Sequence, residues 1–301
     1  MDWKSTVKEE SLKIGLPSGV GDCSWAVSKL INAPEWPEME FEIADGWPYR
    51  TLPYFEMLGK KATYGQFRYD DIIAFEHHNP YTTWEDIRLK GYGCYLIQPN
   101  QHLEAGKPLK DYLPDLDTSY HYPLNIPDLK QSKFYKRYFS VLEDYPYWIG
   151  ISAASYRGSK AWSTWELEPW AKLCMRLLAD GYHIVLLGGR WDDLTDELEA
   201  YLPYENITNG KVLNLVGKTT FPEACAVHKL CKFYIGFSSG LGIIRTVMGL
   251  PTIMLWPDHQ QLLSTSWADP EDLENKKYIA LPYTTPDDVY RTFSIQAGKY
   301  S

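Results

Sequence analysis

Between residues 148 and 257 the chain runs through three strand-turn-helix units in succession, and each turn has unusual chemistry. The first is Trp148-Ile149-Gly150-Ile151-Ser152-Ala153-Ala154-Ser155, followed by Tyr156-Arg157-Gly158-Ser159-Lys160-Ala161-Trp162. The second is His183-Ile184-Val185-Leu186-Leu187 before Gly188-Gly189. The third is Phe233-Tyr234-Ile235-Gly236 before Phe237-Ser238-Ser239-Gly240. Short apolar runs that end in small residues and lead into helical patterns mark an open parallel sheet. Such sheets bind ligands beyond the carboxyl ends of their strands. There Ser238, Ser239 and Gly240 open a helix, whose free N–H groups and dipole favour an anion. Lys160 adds a mobile positive charge from another loop of the same edge. The pattern predicts an anionic, diphosphate-bearing ligand.

A chain of 301 residues has the length for two domains, each with its own core. The second half predicts a helix over 164–180, with Leu167, Trp170, Leu173, Cys174, Leu177 and Leu178 at helical spacing and Gly181 as its stop. Strand 183–187, helix 192–201, strand 212–216, helix 222–230, strand 233–236, helix 240–248 and strand 252–256 follow. The first half opens with strand 12–16, a Gly-rich turn over 17–21 and a helix over 22–31. Strands 41–44 and 72–75 and a helix over 49–58, ended by Gly59, come next. Beyond residue 98 the pattern loosens, until a helix over 132–144 leads to Pro146. That punctuation places the boundary between domains 1–146 and 147–301. The expected fold class is α/β, with two Rossmann-like domains facing each other across a cleft.

The net charge of −9 does not suit non-specific attraction to nucleic acid or anionic membrane. Lys130, Lys133, Lys136 and Arg137 form a local basic cluster, readable as a groove or as a solvated helix face. Five cysteines without a CxxC pair predict unpaired thiols in a reducing compartment. The polar start over 1–10 is unlike a signal peptide, and no apolar run approaches the roughly 18 residues that span a bilayer. A soluble, cytoplasmic protein is expected. The 23 Tyr and 12 Trp are packing residues first and stacking platforms second.

Gly21-Asp22 after the first strand, the loop 155–162 with Lys160, Leu215-Val216-Gly217-Lys218-Thr219 and the stretch 236–240 together resemble the heptosyltransferases, glycosyltransferase family nine. The resemblance covers 147–257 well and 1–31 thinly, and does not extend over 32–146. It implies the two-domain GT-B fold and transfer of a sugar from a nucleotide diphosphate sugar with inversion. The sequence departs from the family at three places. Phe237-Ser238-Ser239-Gly240 stands where the family usually has Asn-Asp-Ser-Gly, Ile243 where a His follows, and Ala153-Ala154 where Pro-Gly is usual. The lost acid helps hold the donor in the family, so the departures imply a donor sugar handled differently from heptose. The acidity and the unusual middle of the first half suggest an acceptor other than lipopolysaccharide core.

Inverting transfer needs a base at the acceptor hydroxyl and a counter-charge for the departing diphosphate. Asp22 matches the family's base, and its plainer reading is a helix N-cap. Lys160 fits the counter-charge, against a solvated loop lysine. Ser155, Ser238, Ser239 and Gly240 offer donors to phosphate oxygens. Gly188 and Arg190 border the nucleotide, or permit no more than a tight turn. Gly21, with His77 and His78 after an apolar strand, lies on the acceptor side. Asp258-His259 follows strand 252–256 at the donor edge, or is simply loop. Lysine and helix dipole offset the leaving charge and no DxD motif sits in a suitable loop, so neither metal nor cofactor is expected. The expected partners are a nucleotide sugar and an acceptor, either a surface glycan or a hydroxymethylated pyrimidine in viral DNA. A nucleotide-sugar epimerase or hydrolase, or a non-catalytic sugar-nucleotide-binding protein, are the alternatives.

Overall fold

The computed structural model describes residues 12–16, 19–44, 48–65, 73–75, 94–97, 117–128, 142, 145–153, 165–257, 263–266 and 268–298. Contacts divide the chain into two units, Met1–Asn125 and Ile126–Ser301. This division falls ahead of residue 146. Ile126 and Leu142 pack with Trp148, Val185 and Leu187 in the second unit's core.

In the first unit, β1 (Leu12–Leu16), β2 (Met39–Ala44), β3 (Ala62–Gly65), β4 (Ile73–Phe75) and β5 (Cys94–Ile97) form a sheet of order β3-β2-β1-β5-β4. Every pairing in it is parallel. The sequence reading found β1 and, within two residues, β2 and β4, and missed β3 and β5. Helix α1 (Val20–Leu30) follows β1 and buries Cys23, Trp25, Ala26, Val27 and Leu30. Helix α2 (Pro48–Met57) follows β2, and Gly59 with φ +70° turns the chain out of it. The stretch 117–125 lies along both helices. Asn32 Nδ2 donates to the Asp117 carbonyl at 2.8 Å, Ser119 N–H to the Ser28 carbonyl at 2.7 Å, and Asn125 N–H to the Met57 carbonyl at 2.8 Å. The Tyr54 and Tyr122 hydroxyls meet at 2.6 Å inside this contact.

In the second unit, β6 (Trp148–Ser152), β7 (His183–Leu186), β8 (Val212–Asn214), β9 (Phe233–Phe237), β10 (Thr252–Trp256) and β11 (Tyr278–Pro282) form an all-parallel sheet. Its order is β11-β10-β9-β6-β7-β8, the doubly wound arrangement that reverses between its first and fourth strands. Alternate residues serve opposite faces. Ile149, Ile151, Ile184, Leu186, Phe233 and Ile235 join Trp170, Leu177, Val289 and Phe293 on one side. Those partners come from α3 (Leu167–Ala179) and, at the end of the chain, from a helix over Pro286–Ala297. On the other side Trp148, Val185, Leu187 and Leu215 meet Ala226 and Val227 of α4 (Phe221–Leu230). Strands covered on both faces need no polar alternation. Hence β6, β7, β9 and β10 are buried from end to end. Helix α5 (Gly240–Val247) connects β9 to β10, and the Pro286–Ala297 helix is α6.

Two expectations are corrected here. The helix expected over 192–201 is a short α-turn, Asp193–Glu197, followed by a 3-10 turn, Leu198–Tyr201. The strand expected over 212–216 ends at Asn214, whose Oδ1 accepts the Val216 N–H at 3.0 Å. Strand β11 and helix α6 close the unit beyond the last element read from the sequence.

Candidate functional site

At the carboxyl edge of the second sheet, β9 leads into α5 beside the end of β6, where the strand order reverses. Ser239 is the N-cap of α5, and its Oγ accepts the Gly242 N–H at 3.5 Å. The first turn of α5 carries no acidic residue, so the positive end of its dipole is not neutralised from within the helix. Ser238 is fixed by its backbone N–H, which donates to the Leu255 carbonyl at 3.1 Å. Its side chain is only 8% exposed, and its hydroxyl has no hydrogen-bond partner among the described residues. A buried hydroxyl without a partner is costly, and here it sits next to a helix N-terminus suited to an anion.

The opposite flank of β6 is a network of backbone and side-chain bonds. Gly189 N–H donates to Asp192 Oδ2 at 2.6 Å, and Asp192 N–H returns to the Gly189 carbonyl at 3.0 Å. A Cβ at Gly188 would stand 2.8 Å from Asp192, which accounts for that glycine. Ala153 N–H donates to Thr195 Oγ1 at 3.0 Å and so ties the end of β6 to the same loop. Asn214 Nδ2 reaches Asp196 at 2.7 Å and Glu199 at 2.9 Å. Lys218 Nζ donates to the Asn214 carbonyl at 2.9 Å. Gly217, with φ +66°, packs so closely on Arg190 that a Cβ would come within 2.9 Å of Arg190 Cγ. Gly188 and Arg190 therefore belong to this flank, while Ser238, Ser239 and Gly240 lie across β6 from them.

Sequence reasoning missed Tyr234. Its hydroxyl lies 3.4 Å from Ser239 Oγ, beneath the edge. Burial pushes its phenol up to about 12, while its side-chain contacts with Ser239 and Ser152 pull the other way. The available signal was the i, i+2 pair Tyr234 and Gly236, which places an aromatic and a bare backbone on one face of one strand.

In the first unit, α1 begins at Val20 rather than at Asp22, with Gly19 as N-cap. Asp22 is thus the third helical residue and not the cap. Its carboxylate turns back toward Gly19, where an added Cβ would overlap Oδ2. Gly21 is buried beside it, and Asp22 is half-buried. Burial first and the Asp22 charge second push the Cys23 thiol up. Ser155, Lys160, His77, His78, Asp258, His259 and the cluster Lys130 to Arg137 lie outside the described residues. Among the described residues no group of His, Cys, Asp or Glu is arranged to hold a metal ion, and no helix is long and apolar enough to cross a membrane. Cys23, Cys174, Cys225 and Cys231 are buried thiols outside any disulfide.

The family model for glycosyltransferase family 9 (heptosyltransferase) matches residues 114–276. Comparison with curated proteins gives no match. Among solved structures, the ADP-heptose lipopolysaccharide heptosyltransferase II of Escherichia coli is similar at TM-score 0.66 and 17% identity, over 94% of this chain and 98% of that one. A family 9 glycosyltransferase of Veillonella parvula follows at 0.59 and 14%, over 96% and 90%. The E. coli heptosyltransferase WaaC with ADP matches at 0.53 and 13%, over 96% and 99%. At such identities the likeness is one of fold, the α/β fold of the GT-B glycosyltransferases.

Proposed function

Because the chain belongs to glycosyltransferase family 9, we propose that it moves a sugar from a nucleotide diphosphate sugar to an acceptor hydroxyl, with inversion and without a metal ion. The observation that supports this most is the edge where β9 enters α5. It combines a reversal of strand order, a helix N-terminus with no acid in its first turn, and the partnerless buried hydroxyl of Ser238. A diphosphate brings there the negative charge and the acceptor oxygens that these groups lack. WaaC of E. coli was solved with ADP, and a nucleoside diphosphate is carried to this chain on that precedent.

In this reading Asp22 takes the proton from the acceptor hydroxyl. The acceptor oxygen bonds to the anomeric carbon from the face opposite the diphosphate, which leaves with the bonding electron pair. Lys160 and the α5 N-terminus meet the charge that develops on it. Ser155, Ser239 and Gly240 donate to phosphate oxygens, and Ser238 turns its hydroxyl to a phosphate or to the sugar. Gly188 and Arg190 border the nucleoside, and Gly21, His77 and His78 line the acceptor side. An oriented cation and helix dipole replace a metal in this scheme. The acceptor is a surface glycan, or a hydroxymethylated pyrimidine in DNA bound through Lys130 to Arg137, and the enzyme works in the cytoplasm. Family membership stands against the epimerase, hydrolase and non-catalytic alternatives.

The test is a thermal-shift screen of nucleoside diphosphates and nucleotide sugars, followed by transfer assays on Asp22→Asn. Donor binding retained with transfer abolished is the expected result. Transfer at the wild-type rate would remove Asp22 from the role of base. A salt-dependent mobility shift with duplex DNA separates the DNA acceptor from the glycan.

A further inference from the structure

Three glycines clear a channel for one aromatic side chain under the site. A Cβ on Gly236 would overlap the Tyr234 ring, one on Gly242 would come within 3.1 Å of Tyr234 Cε1, and one on Gly150 within 3.2 Å of Cδ2. These glycines belong to β9, to the first turn of α5 and to β6, the three elements that meet where the strand order reverses. Their missing side chains let a fully buried tyrosine run along the sheet toward its carboxyl end. Its hydroxyl arrives 3.4 Å from Ser239 Oγ. A buried aromatic that serves packing alone has no need to deliver its polar end to the N-cap of an anion-binding helix.

A count of donors and acceptors gives the consequence. Ser239 Oγ has one proton and two lone pairs. One lone pair faces the Gly242 N–H at 3.5 Å. The hydroxyl 3.4 Å away belongs to Tyr234; the geometry allows either oxygen to donate, and the phenol is the stronger donor of the two, so its proton is assigned to the second lone pair. With both acceptor positions occupied from below, the Ser239 proton is left for the space beyond the helix N-terminus. Both contacts are at the long end of hydrogen-bonding distance. They shorten once that proton finds an anion, because a hydroxyl that donates becomes a better acceptor.

We propose that Tyr234 is a positioning residue for the donor. Held in the channel of Gly150, Gly236 and Gly242, it donates to Ser239 and thereby orients the Ser239 hydroxyl as a donor to the diphosphate of the nucleotide sugar. The inference rests on the reading that a diphosphate binds at the α5 N-terminus, and the two can fail separately. Tyr234 touches no substrate and acts only through Ser239. Because its phenol stays protonated at every pH at which the enzyme would be assayed, the device does not depend on titration.

The experiment measures inorganic pyrophosphate and ADP affinity, together with unliganded melting temperature, for the wild type, Tyr234→Phe, Ser239→Ala and the double variant. The phenylalanine keeps the ring in its channel and removes one proton. It should weaken pyrophosphate about threefold to tenfold, the size of one net hydrogen bond. Ser239→Ala should lose at least as much, and the double variant no more than Ser239→Ala alone, because the tyrosine acts through the serine. A tyrosine of purely structural importance would lower the melting temperature of Tyr234→Phe and leave pyrophosphate affinity as it was. That result, or losses that add in the double variant, overturns the proposal. Ser239→Ala leaves the channel untouched and is a second test: unchanged pyrophosphate affinity there means that the proton points inward and the proposal is wrong. Failure of the wild type to bind pyrophosphate or ADP would instead overturn the diphosphate reading beneath it.

Discussion

Arg245 is buried in α5 with its donors turned to backbone carbonyls. Nε donates to Pro251 at 2.9 Å, one terminal nitrogen donates to His228, and the other reaches Cys231 at 2.9 Å and Lys232 at 3.3 Å. His228, Cys231 and Lys232 carry the last carbonyls of α4 and the approach to β9, groups that a helix end leaves without partners. Burial draws the guanidinium down to about 10, which still leaves it charged at neutral pH. Arg245→Gln should cost about 3 kcal/mol or more, since it strands several of these carbonyls at once. Urea midpoints measure the loss. A cost near zero would mean that water reaches the carbonyls. His228 stands beside it, its ring 5.0 Å from that of Tyr234 and both ring nitrogens without a hydrogen-bond partner among the described residues. Burial first and Arg245 second hold its pKa well below the usual value. The unfolded chain takes up this proton below about pH 6.5 and the fold does not, so stability falls as pH drops through that value, by about 1.4 kcal/mol per unit until the folded pKa is reached. His183 is shifted the same way, by burial and then Lys211. His228→Leu should therefore reduce the acid slope of urea midpoints between pH 7.5 and 5.5 without abolishing it. An unchanged slope would rule out His228 as a source.

At the scale of elements, the glycines divide into those that serve the chain's own conformation and those that serve a neighbour. Gly181 and Gly217 hold φ of +87° and +66°, and the sequence shows their kind as punctuation. Gly236 sits inside a strand, where bare backbone has no local use, and its reason is the Tyr234 ring. Gly236→Ala should cost more than about 2 kcal/mol by forcing an aromatic out of a packed channel, and should weaken pyrophosphate because Ser239 loses its partner. Tyr234→Val in the same chain should recover part of the stability and none of the binding. A double variant no more stable than the sum of the singles would show that the ring is not what Gly236 accommodates. The same division explains what the sequence made legible. Strand β10 could be read to the residue because burial on both faces leaves an unbroken apolar run between turn residues. The helix over 192–201 was misjudged because Asp192, Thr195 and Asp196 look like helix-opening residues. The Asp192 side chain in fact turns back to Gly189, and those of Thr195 and Asp196 go to Ala153 and Asn214, partners distant in sequence. Ser238–Gly240 and Asp22 were found as residue types at helix starts, yet the position of Asp22 within α1 depended on a helix that begins two residues early, at Val20. Tyr234 could not be singled out, because its meaning lies in three glycines from three elements.

For the whole molecule, two sheets with separate cores make unfolding in a single step unnecessary. The first unit is built around β1 and α1 with the stretch 117–125 bound along its helices. The second is built around β6 and β9 with a core on each face. The groups assigned to the diphosphate, Ser238, Ser239 and Gly240, all belong to the second, whereas Asp22 belongs to the first. Ligand that binds only the folded form adds about 2.7 kcal/mol at 100 times its dissociation constant. If pyrophosphate is held by the α5 N-terminus, that increment belongs to the second unit. Urea unfolding followed by hydrogen exchange should then show added protection in β6, in β9 and through α5. Strand β1 and helix α1 should open at the same urea concentration with or without pyrophosphate. Equal protection in both units would mean that they unfold together, and the variants of Tyr234 and Ser239 would then have to locate the site alone. Protection confined to α1 would place the anion beside Asp22, where a carboxylate repels it, and the division of labour between base and donor site would have to be reversed.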